Sequence, residues 1–199
     1  MNVAALYDVH GMPWALEAVL AEVKADVVVF GGDLGGGPYD EETLALARSV
    51  DATWIRGNTE DDALPLAVQL DGVTYCHATP GDNTPITTAI TPDDDLVAMF
   101  GLSGTFVIGH THHQFDRRVG ELRVINAGSI GMAYESDVAA YWTLVEDGEP
   151  RFMRTPFDIP YAVERVRASE WPGREEFIAE NLLVAVERDE AIAHFEAQR

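Results

Sequence analysis

Val27-Val28-Val29-Phe30-Gly31-Gly32-Asp33 sets the reading of this chain. Four consecutive apolar residues without polar alternation are what a parallel strand covered on both faces requires. The glycines turn the chain sharply, and Asp33 follows at the strand's C-terminal end, where open α/β sheets bind ligands. The same arrangement recurs on either side. Asn2–Tyr7 is a strand-like run that leads into Asp8-Val9-His10, and Ala52–Ile55 leads into Gly57-Asn58-Thr59-Glu60. Two helical stretches lie between these runs. Residues 13–23 put Trp14, Leu16, Val19, Leu20 and Val23 on one face, with Pro13 in the first turn. Residues 38–49 carry Asp40, Glu41 and Glu42 where a helix dipole favours acids. The order β-α-β-α-β predicts a parallel sheet.

Downstream the pattern changes. Residues 66–70 and 73–76 flank Asp71-Gly72, a two-residue hairpin signal. Residues 78–91 are rich in Thr, Pro, Gly, Asp and Asn and read as a loop over the strand ends. A short helix is expected over 92–102 and a strand over 105–108. Hairpins are expected at 115–125 and 139–155, and all these later strands are assigned to a second, more antiparallel sheet. The tail from about Tyr161 reads as helical, interrupted at Trp171-Pro172-Gly173.

At 199 residues the chain is expected to form a single domain, spanning 1–199, with its motifs within 2–157 and a helical extension over 158–199. One cysteine, Cys76, excludes an internal disulfide framework and reads as a small buried residue. No membrane-length apolar run or signal peptide is legible, so a cytoplasmic protein is expected. Net charge is -21, from 34 acidic and 13 basic residues, with Lys24 the sole lysine. Such a surface repels nucleic-acid backbones, so dedicated nucleic-acid binding is not expected. A high-GC genome or a salt-loving host would each produce this balance. Self-association is left open.

Six segments carry the chemistry: Asp8-Val9-His10, Gly31-Gly32-Asp33, Gly57–Glu60, Cys76-His77, Gly109-His110-Thr111-His112 and Asn126-Ala127-Gly128-Ser129. Four of the six histidines fall in them. Two divalent cations ~3.5–4 Å apart need several hard or borderline ligands and one shared carboxylate. Asp8, His10, Asp33, Asn58, His77, His110 and His112 supply such a set, with Asp33 the natural bridge. Nitrogen and oxygen donors without thiolate suit two divalent ions, Mn foremost, with Fe, Ni, Zn or Co also served. Among neighbouring residues, His113 reads as a solvated loop histidine, Arg117 as part of an exposed hairpin, and Asp61 and Asp62 as first-turn helix acids.

In content and order these segments resemble the calcineurin-like metallophosphoesterases, whose pattern runs D-x-H, G-D, G-N-H-D/E, H, G-H-x-H. The small prokaryotic branch typified by YfcE-type phosphodiesterases is the most similar. The resemblance covers about residues 2–157. It implies an α/β fold, a four-layer α/β/β/α sandwich of two mixed sheets flanked by helices. It implies one metal at Asp8, His10, Asp33 and His112, and another at Asp33, Asn58, His77 and His110. Asp33, Asn58 and His77 are the expected catalytic set, and a bridging hydroxide would attack phosphorus in line. The implied substrate is a small-molecule phosphoester. Thr59 departs from the pattern, since larger relatives place there a histidine that protonates the leaving alcohol. General acid catalysis is typically worth ~10²–10⁴-fold. Its loss favours phosphodiester or nucleotide-type substrates, with a phosphomonoesterase or dinucleoside polyphosphate hydrolase as the alternative. A non-catalytic scaffold, as in the retromer subunit of this fold, has no reason to keep seven ligands together.

Overall fold

Both faces of β1 (Asn2–Leu6) are apolar, and the strand therefore lies inside a sheet rather than at its edge. In the computed structural model, which describes residues 1–60 and 63–199, β1 pairs in parallel with β2 (Val27–Phe30), Val3 opposite Val27. β2 pairs in parallel with β3 (Ala52–Trp54). α1 (Pro13–Glu22) and α2 (Asp40–Arg48) make the crossovers, as the alternating pattern predicts. The expected helix at Asp61 and Asp62 lies outside the described residues.

The second sheet contains β4 (Ala67–Leu70), β5 (Val73–Cys76), β6 (Ser103–Ile108), β7 (Phe115–Val119) and β8 (Glu121–Asn126), in the order β4-β5-β6-β8-β7. Its three inner strands run parallel, and β4 and β7 are antiparallel edges. Asp71 and Gly72 join β4 to β5 with φ of 50° and 79°. Two consecutive left-handed residues make the hairpin turn whose twist matches its strands.

The hairpin of β9 (Ala140–Glu146) and β10 (Glu149–Thr155) departs from expectation. It joins the first sheet, where β9 pairs antiparallel with β1, Val3 opposite Val145, giving the order β10-β9-β1-β2-β3. β9 is buried along nearly its whole length, and the free edge of β1 is where such a strand finds both hydrogen bonds and cover.

Side-chain alternation sorts the core into three slabs. Ala4 and Leu6 face α1 and meet Trp14, Leu16, Val19 and Trp142. Val3, Ala5 and Tyr7 face the other way and join Val29, Tyr75, Val107 and Ile125 between the sheets. On the far side, α3 (Asp93–Phe100) sets Leu96 and Phe100 against Ile108, Leu122 and Val124. The result is the α/β/β/α sandwich. Residues 158–199 form α4 (Ile159–Ala168), α5 (Arg174–Phe177), which runs into a wider π-helical turn over Ile178–Leu182, and α6 (Arg188–Glu196). Ala162, Val166, Phe177 and Leu182 pack onto the first slab. Among the described residues, no helix is long and apolar enough to cross a membrane.

Candidate metal centre

Asp8 follows β1, Asp33 follows β2, Asn58 follows β3, His77 follows β5, and His110 and His112 follow β6, so both sheets deliver polar side chains to one edge of the sandwich. The backbone there is unusual. Asp8, His10, Asp33, His110 and His112 have φ of 55°, 48°, 52°, 69° and 57°. Left-handed backbone costs a non-glycine residue roughly 1–2 kcal/mol. Local sequence would not choose it, so neighbouring segments must hold it. Asp8 N donates to Gly32 O at 3.1 Å, His10 N to Asp33 O at 3.0 Å and Gly11 N to Leu34 O at 2.9 Å. Ser129 Oγ donates to Asp8 O at 2.7 Å, and Asn126 Nδ2 to Gly109 O at 2.7 Å. Two glycines are fixed by close approach. A Cβ on Gly57 would lie 2.2 Å from Asp33 Oδ1, and one on Gly109 2.4 Å from Asp8 Oδ2.

Glu60 does work that its position in the sequence did not disclose. Its carboxylate accepts from Asp33 N at 2.9 Å, Leu34 N at 2.8 Å and Gly57 N at 2.8 Å. One side chain thus ties the turn after β2 to the turn after β3. Asp33 Oδ1 accepts from Thr59 N at 2.9 Å, which leaves Oδ2 directed at the imidazoles.

The side chains converge in two overlapping groups. Asp8, His10 and His112 present ligand atoms within 4.8 Å of one another, and so do Asp8, Asp33 and His77. All five residues are buried. His112 Nε2 lies 3.4 Å from Asp8 Oδ1, and His77 Nε2 lies 3.6 Å from Asp33 Oδ2 and 3.1 Å from Asn58 Oδ1. Asp33 Oδ2 is also 3.9 Å from His10 Nε2, so Asp33 reaches toward both groups, as does Asp8. His110 stands one step outside. Its ring packs edge-on to His77 at 5.1 Å, and its Nε2 donates to Thr84 O at 3.1 Å.

The outer hydrogen bonds set the tautomers. His77 Nδ1 donates to Gly31 O at 3.0 Å, and His112 Nδ1 donates to Met132 O at 2.8 Å. With Nδ1 engaged, each ring turns its Nε2 inward, the usual device for orienting a metal-ligating histidine. His10 Nε2 and His112 Nε2 meet at 3.1 Å, and Asp8 Oδ1 is buried without any hydrogen-bond partner. Lone pairs facing one another in a dry site repel unless a cation or proton lies among them. Divalent cations fit this donor set.

The protonation tendencies differ from group to group. Burial opposes the charge on Asp8, yet His112, His77 and His10 outweigh it and hold its carboxyl well below the usual carboxylate range. Burial and the neighbouring His112 push His10 down, and burial and His77 push His110 down, toward the neutral form that binds metal. His112 goes the other way. Burial lowers it, but the Asp8 carboxylate prevails and raises it.

Two expectations at the rim are corrected. His113 is buried rather than solvated. Its Nδ1 donates to Thr111 O at 2.8 Å, its Nε2 accepts from Ala89 N at 3.3 Å, and burial pushes its pKa down to about 4. Arg117 leaves the hairpin surface to donate to Ala89 O at 2.7 Å and Thr91 O at 3.1 Å. Both residues pin the segment 84–91, whose Thr84 carbonyl holds His110. Glu196 of α6 fastens the same segment by accepting from Thr88 Oγ1 and from Thr91 Oγ1. Cys76 is buried as expected, its thiol pushed up to about 12 by burial.

Carboxylates and imidazoles gathered at the strand ends of a two-sheet α/β/β/α sandwich define a protein with a built metal-ligand constellation. The family model of the calcineurin-like phosphoesterase superfamily domain matches residues 1–148, and the chain belongs to that superfamily. No curated protein sequence matches it. Among solved structures, a metallophosphoesterase from Sphaerobacter thermophilus superposes with a TM-score of 0.77 at 20% identity, covering 92% of this chain and 98% of its own. A hypothetical protein from Pyrococcus horikoshii OT3 gives 0.76 at 17% identity, covering 94% of this chain and 99% of its own. The phosphoesterase YfcE from E. coli gives 0.54 at 20% identity, covering 79% of this chain and all of its own. At these identities the likeness is one of fold.

Proposed function

We propose that this chain is a binuclear metal-dependent phosphoesterase that hydrolyses phosphodiester or nucleotide-type substrates. One observation carries the reading: Asp8 Oδ1, buried and without a donor, faces Nε2 of His112 at 3.4 Å and of His10 and His77 at 3.9 Å. Divalent cations held by Asp8, His10, Asp33, His77 and His112 would supply Lewis acidity to a phosphoryl oxygen and a nucleophile at neutral pH. The chain's own groups do the positioning. Asp33 spans the two groups, Asn58 adds a neutral oxygen beside His77, and Glu60 keeps the Asp33 turn in register. Thr59 sits where a protonated imidazole would otherwise stand, and its hydroxyl is engaged with Glu60 Oε1 at 3.3 Å. A threonine hydroxyl is a poor proton donor at neutral pH, so activated leaving groups are favoured.

The test is a screen of metal-stripped protein reloaded with Mn, Fe, Ni, Zn, Co or Mg. Bis(4-nitrophenyl) phosphate, 4-nitrophenyl phosphate, cyclic nucleotides and dinucleoside polyphosphates are the substrates. Metal-dependent turnover that favours the diester is expected. A preference for the monoester would replace diesterase by monoesterase. No turnover with any metal would overturn the enzyme reading.

A further inference from the structure

A cavity of about 730 Å³ opens beside the candidate metal centre, along α2. Gly36 and Thr59 form one end of it. A Cβ on Gly36 would lie 3.5 Å from His10 Nδ1, and Thr59 N donates to Asp33 Oδ1 at 2.9 Å, so these two lining residues abut two candidate ligands. Leu44, Trp54 and Leu64 supply apolar walls. The Trp54 ring lies on the sheet's edge strand and is braced by Phe30, with centroids 5.0 Å apart and planes at 53°. Arg48, the last residue of α2, closes the other end.

The charges along the cavity are unevenly engaged. Asp40 turns its carboxylate to Gly36 N and Gly37 N at 3.1 and 2.9 Å, and Glu60 turns its own to the three backbone donors already described. The Arg48 side chain is exposed and, among the described residues, makes no hydrogen bond or ion pair. By contrast, Arg117, Arg123 and Arg154 each find a carboxylate among the chain's 34 acids. Helical rise puts Arg48 about 12 Å along α2 from Asp40. Its flexible side chain can shorten that span to the length of one nucleotide. A guanidinium is the group best shaped for a phosphate, and an apolar cleft with one such anchor is the usual form of a small-ligand site.

We infer that this cavity binds the organic part of the phosphoester, with a planar ring against Trp54 and a second anionic group, such as a further phosphate, at Arg48. The inference rests on the phosphoesterase reading and names the substrate class for it: nucleotide-type esters that carry a second phosphate.

The experiment uses Mn-loaded full chain and two esters, thymidine 5′-(4-nitrophenyl phosphate) with and without a 3′-phosphate. The 3′-phosphate is expected to raise kcat/KM by about tenfold through KM, the effect of one charge-assisted hydrogen bond. Arg48→Glu should erase that gain. Arg151→Glu makes the same charge change on the opposite edge strand and should keep the gain. Calorimetric titration with thymidine 3′,5′-bisphosphate reads the same contact without turnover, and Arg48→Glu should weaken binding about tenfold. An unchanged 3′-phosphate gain, or unchanged bisphosphate binding, in Arg48→Glu overturns the inference. Arg48-dependent binding with no turnover of any ester would support the cavity and sink the phosphoesterase reading instead.

Discussion

Replacing Glu60 with Gln changes one atom and should loosen the whole centre. The carboxylate serves three backbone donors, with Oε2 taking Asp33 N and Gly57 N and Oε1 taking Leu34 N. An amide keeps a single accepting oxygen and presents an NH₂ on its other side. Whichever way it turns, at least one donor loses its acceptor and faces N–H instead. Hydrogen bonds to a charged group contribute roughly 1.5–3 kcal/mol each, and the neutral amide weakens even those it retains. These contacts are only part-buried, which favours the low end, so a cost of about 2–3 kcal/mol is expected. For a chain of this length that lowers Tm by roughly 5–10 °C. The Asp33 backbone, at φ 52°, is held left-handed by this brace, so metal affinity should fall with stability. Differential scanning calorimetry of metal-free protein and a competitive Mn titration measure the two effects. A Glu60→Gln protein that melts with wild type and binds Mn equally tightly would show that the brace is incidental.

Asp33→Asn and His77→Ala should each abolish metal-dependent turnover while leaving the circular dichroism spectrum intact; elemental analysis of wild type after Mn saturation should give two ions per chain, and a ceiling of one would refute the binuclear arrangement. Rates on aryl phosphodiesters should fall steeply as the leaving phenol becomes more basic, and Thr59→His should flatten that dependence; a wild-type slope that is already shallow would mean another group donates the proton. Because a net charge of -21 repels itself, Tm should climb from low to molar KCl, and a flat profile would count against adaptation to salt. Glu196→Ala should weaken the tail's hold on residues 84–91, read as faster amide exchange there, and unchanged exchange would show that Arg117 and His113 suffice.

The candidate centre was legible because its residues lie in short segments, each tied to a strand end. Asp8, His10, Asp33, His77 and His112 come together where the spacing of motif and strand places them. His110 was legible as a residue but not in its place outside the groups, because that depends on the carbonyl of Thr84, 26 residues away. Glu60 could be read only as an acid, since the donors it serves are set by two turns meeting in space. The β9–β10 hairpin was found, but its sheet was not. A fully apolar strand would satisfy either sheet, and the free edge of β1 is a tertiary fact. His113 and Arg117 departed from expectation for the same reason: the segment they bond to, residues 84–91, has no periodicity to announce where it lies.

The placement of β9 bears on how the protein is made. Val3 hydrogen-bonds beside Val27, which follows at once, and opposite Val145, which does not exist until most of the chain has been synthesised. At ~5–20 residues per second, β1 waits roughly 7–28 s on the ribosome with one flank open. That flank belongs to the apolar run Val3-Ala4-Ala5-Leu6, the kind of unpaired edge that recruits strands from other chains. The second sheet can close in the meantime, since its strands all precede β9. Expression at low temperature, which slows synthesis and prolongs that interval, therefore carries a hazard for this topology, and a chaperone that shields the N-terminal strand until residue 146 emerges has a defined task.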